Sequence, residues 1–228
     1  MGLNRYSLPR SISVWIVITL SVIILTVWVN QVRLIAIDVG FPDWHVSRTV
    51  TIWELSILLV GCLGAAFIST KLASWEKTAK RNLTAYHRVC AIAVCLAPPA
   101  IVFSLFVGPL YAENGFGTRT EWFAELWPAA TVLAGTMMTF AALALILTTL
   151  TSRITGSVLA FILYGGLIIW QSIGTVATRY LPLHGDPINA APNPFAALGV
   201  GLVFSTIAVF GWRGGVKKIV DLKLDRLA

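Results

Sequence analysis

Six long apolar stretches, separated by short links that carry nearly all the charge, constrain this chain more than any other feature. They run over residues 12–32, 51–70, 89–111, 126–150, 154–178 and 195–212. An apolar run of about 18 or more residues can cross a hydrocarbon core as a helix. Backbone groups in lipid must bond within their own segment, and no alternating ten-residue strand pattern is present. The expectation is therefore one all-α integral membrane domain over residues 1–228, with six transmembrane helices.

The links sort by charge. With the stretches threaded in order, residues 1–11, 71–88, 151–157 and 211–228 fall on one side and hold 13 of the 17 Lys+Arg with three acids. The opposite side, residues 33–54, 112–125 and 179–193, holds four basic residues and seven acids. Short cytoplasmic loops carry the Lys/Arg excess, which predicts both termini in the cytoplasm and a multi-pass protein of the cell membrane. The net charge of +7 is then a topology signal facing anionic headgroups, not a nucleic-acid surface. The charged fraction is 12% against about 25% in an average soluble domain, and the spans take up so much of the chain that no separate catalytic domain is expected.

The spans carry little chemistry. Cys62, Cys90 and Cys95 lie in apolar context without metal spacing and read as small hydrophobes. The three histidines lie in links or at interfaces, which leaves Met137 and Met138 alone as a weak case for axial haem ligands within a span. Asp43 with His45, and His184 with Asp186, lack a third convergent metal ligand. No GxxxxGK[ST] loop is present, so an energy-driven role requires a second polypeptide for ATP. No cofactor is expected. Glu54 is the acid nearest a span interior, about one turn inside the outer boundary, where Arg48, Arg119 or the headgroups are its expected partners. Glu54, His184 and Asp186 are the candidate residues of an external gate. Pro98-Pro99 predicts a kink or break in the third span. Gly61, Gly64, Gly165, Gly166, Gly199 and Gly201 permit close helix packing, within the chain or against a second subunit. Trp44, Trp122, Trp127 and Trp212 are expected as interfacial anchors.

The link between spans 2 and 3 reads KLASWEKTAKRNLTAYHR, with no Gly or Pro. Leu72, Trp75, Ala79, Leu83 and Tyr86 recur at three- and four-residue steps, which predicts an amphipathic cytoplasmic helix. Such a helix can lie on the membrane surface or fit a groove on a soluble partner. The tail beyond Gly214-Gly215 repeats the pattern with Val216, Ile219, Val220, Leu224 and Leu227.

The passage TIWELSILLVGCLGAAFISTKLASWEKTAKRNLTAYHRVCAIAVCLAP resembles the span 2–amphipathic link–span 3 region of ABC-2-type export permeases, in particular the six-span subunits of actinobacterial type. The resemblance covers the whole chain in layout, including an irregular external segment between spans 5 and 6. It implies a coupling helix at about residues 70–86 that docks on a separate ATP-binding-cassette ATPase subunit, with Leu72, Trp75, Glu76, Lys77, Lys80 and Arg81 as docking residues. It also implies pairing with a second permease copy or paralogue, and a lipid-like, peptide or drug-like substrate. The alternative expectation is a non-transporting scaffold or accessory subunit of a larger membrane complex.

Overall fold

A computed structural model describes residues 10–29, 36–39, 48–69, 83–114, 120–172 and 194–211. Among them are six α-helices, each coinciding with one apolar stretch: α1 (Arg10–Val29), α2 (Ile52–Ser69), α3 (Leu83–Asn114), α4 (Thr120–Leu150), α5 (Arg153–Ser172) and α6 (Pro194–Gly211). Two short strands, β1 (Ala36–Val39) and β2 (Arg48–Thr51), interrupt the expected all-α chain. They pair antiparallel with Ala36 opposite Thr51 and Val39 opposite Arg48. The segment Arg48–Thr51 is rich in β-branched residues, which suit a strand, and it runs directly into α2.

Six helices are present where six spans were expected, and the described residues establish one candidate span, Ala130–Leu150 of α4, long and apolar enough to cross a bilayer. The described apolar portions of the other five helices are 10–17 residues. The α4 segment is also mostly buried by its neighbours, as a core helix would be.

Helix α4 is the hub, packed against α2, α3, α5 and α6. Small residues make this possible. Ala130, Ala134, Ala141, Ala142 and Ala144 are all buried and allow neighbouring backbones to approach. The closest approach is to α6: a Cβ on Gly135 would fall 2.5 Å from the carbonyl carbon of Ala197, and one on Gly201 would meet Met138 Cε at 2.5 Å. Gly61 sits where α2 meets both α3 and α4, 3.3 Å from Pro98 Cγ and 3.0 Å from Ala141 Cβ at its ideal Cβ position.

The diproline does not break its helix. The helical assignment of α3 continues through Pro98 and Pro99, and both side chains are buried. The ring of Pro98 fills the space left by Gly61. Helix α3 also begins at Leu83, six residues before the expected start of span 3 at residue 89. The end of the amphipathic link is thus continuous with α3.

Helices α4 and α5 form a tight antiparallel hairpin through Thr151 and Ser152. Ser152 Oγ accepts a hydrogen bond from the backbone N–H of Thr155 at 3.2 Å, an N-cap that satisfies one of the free donors of α5. Gly156 lets the returning helix lie against the backbone of Leu147 and Thr148.

Candidate functional site

Three interhelical hydrogen bonds end on α2. On one side, Trp15 Nε1 of α1 donates to the Val60 carbonyl at 3.0 Å. On the other, Ser157 Oγ of α5 donates to the Cys62 carbonyl at 2.8 Å. Eight residues before Cys62, the Tyr164 hydroxyl of α5 donates to Glu54 Oε1. The spacing is consistent with antiparallel helices. Glu54 to Cys62 is about 12 Å along α2, and Ser157 to Tyr164 is about 10 Å along α5. One seam therefore carries both bonds.

Each bond follows from local sequence. An indole and a phenol are mostly apolar, so they enter a helical core readily, but their N–H and O–H require a partner once there. Trp15 is 5% exposed and fits against Gly64, where a Cβ would lie 2.7 Å from Nε1. Tyr164 is buried, and its ring meets Phe140 of α4 edge-on at 5.0 Å between centroids. Glu54 lies in the first turn of α2, where the N-terminal partial positive charge of the helix favours a carboxylate.

Glu54 is the one expected site residue that falls within the described part of the chain, and its environment differs from expectation. It is 2% exposed and turned into the bundle toward Tyr164, so it does not reach out to the headgroups. A carboxylate in this position is well below the surface of the helical core, and a buried acid needs its hydrogen bonds. The strand pair stands over this end of the seam: β2 leads into α2, and both strands pack against α5. His184 and Asp186 lie outside the described residues, as do Leu72, Trp75, Glu76, Lys77, Lys80 and Arg81. The C-terminal amphipathic tail and the side chains of Trp44, Trp122 and Trp212 lie outside them too. Trp127 is half-exposed and stacks obliquely on Phe103 at 5.4 Å.

Tyr164, Ser157 and Trp15 were not singled out from the sequence. Tyr164 did leave a signal, as the one phenol within the apolar run of α5, but nothing in the chain order joins it to Glu54, 110 residues away. The glycines divide. Gly61, Gly64 and Gly201 are consumed by packing within the chain, whereas a Cβ on Gly165, Gly166 or Gly199 would have nothing within 4 Å.

At the opposite end of the bundle, the Arg88 guanidinium of α3 lies 5.1 Å from the centroid of the Phe210 ring of α6. Among the described residues no group of three or more His, Cys, Asp or Glu could hold a metal ion. Cys62, Cys90 and Cys95 are free thiols, buried in the apolar core.

No protein-family model, curated protein or solved structure matches this chain. Its class is therefore defined by its own features: a helical bundle organised on an apolar central helix, with a buried carboxylate–phenol pair at one end.

Proposed function

We propose that the chain is the membrane-spanning permease subunit of an ATP-driven exporter, with ATP hydrolysis carried by a separate ATP-binding-cassette subunit. The observation that carries the membrane part is the exterior of the bundle. Val17, Leu20 and Ile24 on α1, Val158, Ile162 and Ile169 on α5, and Leu202, Val203 and Ile207 on α6 are all exposed. Soluble monomers rarely expose contiguous apolar patches above a few hundred Å². On α5 the exposed apolar face extends from Ile154 to Trp170, about 24 Å of helix, comparable with a hydrocarbon core of about 30 Å. Lipid tails satisfy such a surface where water does not.

The exporter part rests on the link after α2 and its resemblance to a coupling helix. The three hydrogen bonds give that link mechanical consequence. A push on the link from the cytoplasmic side acts first on α2, and α2 is tied to α1 and α5. Motion would pass to α1, α2 and α5 together, and to α3 through its continuous start at Leu83. The apolar bundle suits a lipid-like, peptide or drug-like substrate, and a second permease copy or paralogue would complete the path.

Two experiments test this reading. Alkaline carbonate extraction should leave the chain in the membrane pellet; recovery in the supernatant rejects the membrane part. An affinity-tagged chain should co-purify with an ATPase subunit and stimulate it. If Trp75→Asp leaves both the association and the stimulated activity unchanged, the link is not the docking element.

A further inference from the structure

Helices α3 and α6 pack together, and where they meet, at the end that the charge pattern places in the cytoplasm, a cation stands without an anion. The Arg88 guanidinium of α3 lies 5.1 Å from the centroid of the Phe210 ring of α6. Arg88 Nε is buried and has no hydrogen-bond partner. A buried donor left unsatisfied carries its full desolvation penalty, more so when the group is charged. The acids on the described elements, Asp38, Glu54, Glu113, Glu121 and Glu125, belong to the other end of the bundle. The sequence on either side adds positive charge: residues 71–88 hold five Lys+Arg and one acid, and residues 211–228 hold five and two. The rim around the guanidinium is apolar and open. Val89 is 63% exposed and Phe210 61%, while Cys90, Ala91, Ala208 and Val209 beside them are buried in the bundle. An orphaned guanidinium edged by exposed hydrocarbon fits a molecule in which an anion is joined to hydrocarbon.

From this juxtaposition we propose that Arg88, with Phe210 against its face and Val89 beside it, binds the phosphate of a membrane phospholipid in the cytoplasmic leaflet. The guanidinium is a planar fork of N–H donors that matches two phosphate oxygens at once. Phe210 holds one face of that plane by a cation–π contact and leaves the edge for the phosphate. A turn about the terminal bonds of the arginine side chain brings its Nε edge to the rim, and the exposed Phe210 ring can move with it. The acyl chains then lie on Val89 and Phe210, and the bound lipid bridges the ends of α3 and α6. The site rests on the membrane part of the permease reading and deepens it by naming a lipid contact.

The test is a titration of the full chain in detergent with dioleoyl phosphatidylglycerol, read by native mass spectrometry. The chain should bind this lipid, and dioleoylglycerol, which has the same acyl chains and no phosphate, should bind far more weakly. Arg88→Gln should raise the apparent Kd about tenfold or more, as the loss of a charge-assisted hydrogen bond does. Arg88→Lys keeps the charge without the fork and should fall between. Arg153→Gln, at the start of α5 on the same side of the bundle, should have no effect. Unchanged affinity in Arg88→Gln, an equal loss in Arg153→Gln, or equal binding of dioleoylglycerol overturns the site. Displacement of the lipid by an equal concentration of inorganic phosphate assigns the site to a free anion. Loss of ATPase co-purification in Arg88→Gln with lipid affinity intact assigns it to a protein carboxylate. Either result overturns the lipid assignment. If Arg88→Gln does not fold, Arg88→Lys decides, and wild-type affinity there overturns the site. Carbonate extraction reads the membrane assignment separately. A chain in the supernatant whose lipid binding depends on Arg88 keeps the site and loses the permease reading, and a chain in the pellet whose lipid binding ignores Arg88 does the reverse.

Discussion

Gly135 of α4 and Ala197 of α6 meet backbone to backbone, with the ideal Cβ of Gly135 placed 2.5 Å from both the carbonyl carbon and oxygen of Ala197. A peptide group cannot move aside as a side chain end can. Gly135→Ala should therefore separate the helices and destabilise the bundle by about 2 kcal/mol, in the usual range for overpacking. Gly199→Ala supplies the control on the partner helix: with nothing within 4 Å, it should be neutral or stabilising by up to about 1 kcal/mol. Thermal unfolding of the two variants in the same detergent decides the matter, and equal melting temperatures would refute the close crossing.

Tyr164→Phe removes a donor from Glu54 while keeping the edge-on contact with Phe140. A hydrogen bond of this kind contributes on the order of 1 kcal/mol net, in a protein core or in a membrane. The expected result is a folded chain with a modest loss of stability, measured by denaturant titration in micelles. Glu54→Gln retains an oxygen that accepts from the Tyr164 hydroxyl, so its loss should be the smaller of the two.

Trp15→Phe removes the indole N–H from the Val60 carbonyl and leaves most of the ring volume in place. The loss should be under about 1 kcal/mol by the same scale. Trp15→Ala also opens a cavity and should cost about 3–5 kcal/mol. Gly64→Ala pushes a methyl toward the same indole and toward Val94, so it should fall between them. Tryptophan fluorescence together with unfolding midpoints would rank the three. Any other order would show that volume and not the bond governs the α1–α2 contact.

Ser152→Ala removes the N-cap of α5 and should destabilise the α4–α5 hairpin by about 1 kcal/mol. Hydrogen exchange should show the effect in the first turn of α5, at Thr155 and Gly156, and not at Tyr164. Gly156→Ala should be worse, because its added methyl would fall 2.5 Å from the carbonyl carbon of Leu147.

The element layout was legible because it depends on local composition. Each of the six apolar stretches coincides with a helix. The described part of α3 reaches back to Leu83, beyond the apolar run, where the link has no Gly or Pro to stop a helix. The strand pair was not legible, because each strand is four residues long, too short for alternation to stand out within a polar link. The diproline was expected to kink or break α3; the helix continues through it, and Pro98 lies beside Gly61, a contact between residues on different helices.

The candidate site was legible only in half. Glu54 was identifiable as an acid at the edge of an apolar run, but its partner was not, since any of several cations or the headgroups would serve an acid at that depth. Tyr164 was chosen by the antiparallel register of α2 against α5, the same register that brings Ser157 to Cys62.

By itself, then, the sequence determined that the chain forms six apolar helices joined by polar links, because hydrophobic run length and the placement of charge are properties of neighbouring residues. The tertiary structure alone decided that α4 stands at the centre, which glycines are spent on packing and that Glu54 turns inward to Tyr164. Those outcomes depend on which helix faces come together, and that is settled by the fit of side-chain volumes across the whole bundle and by the need of every buried polar group for a partner.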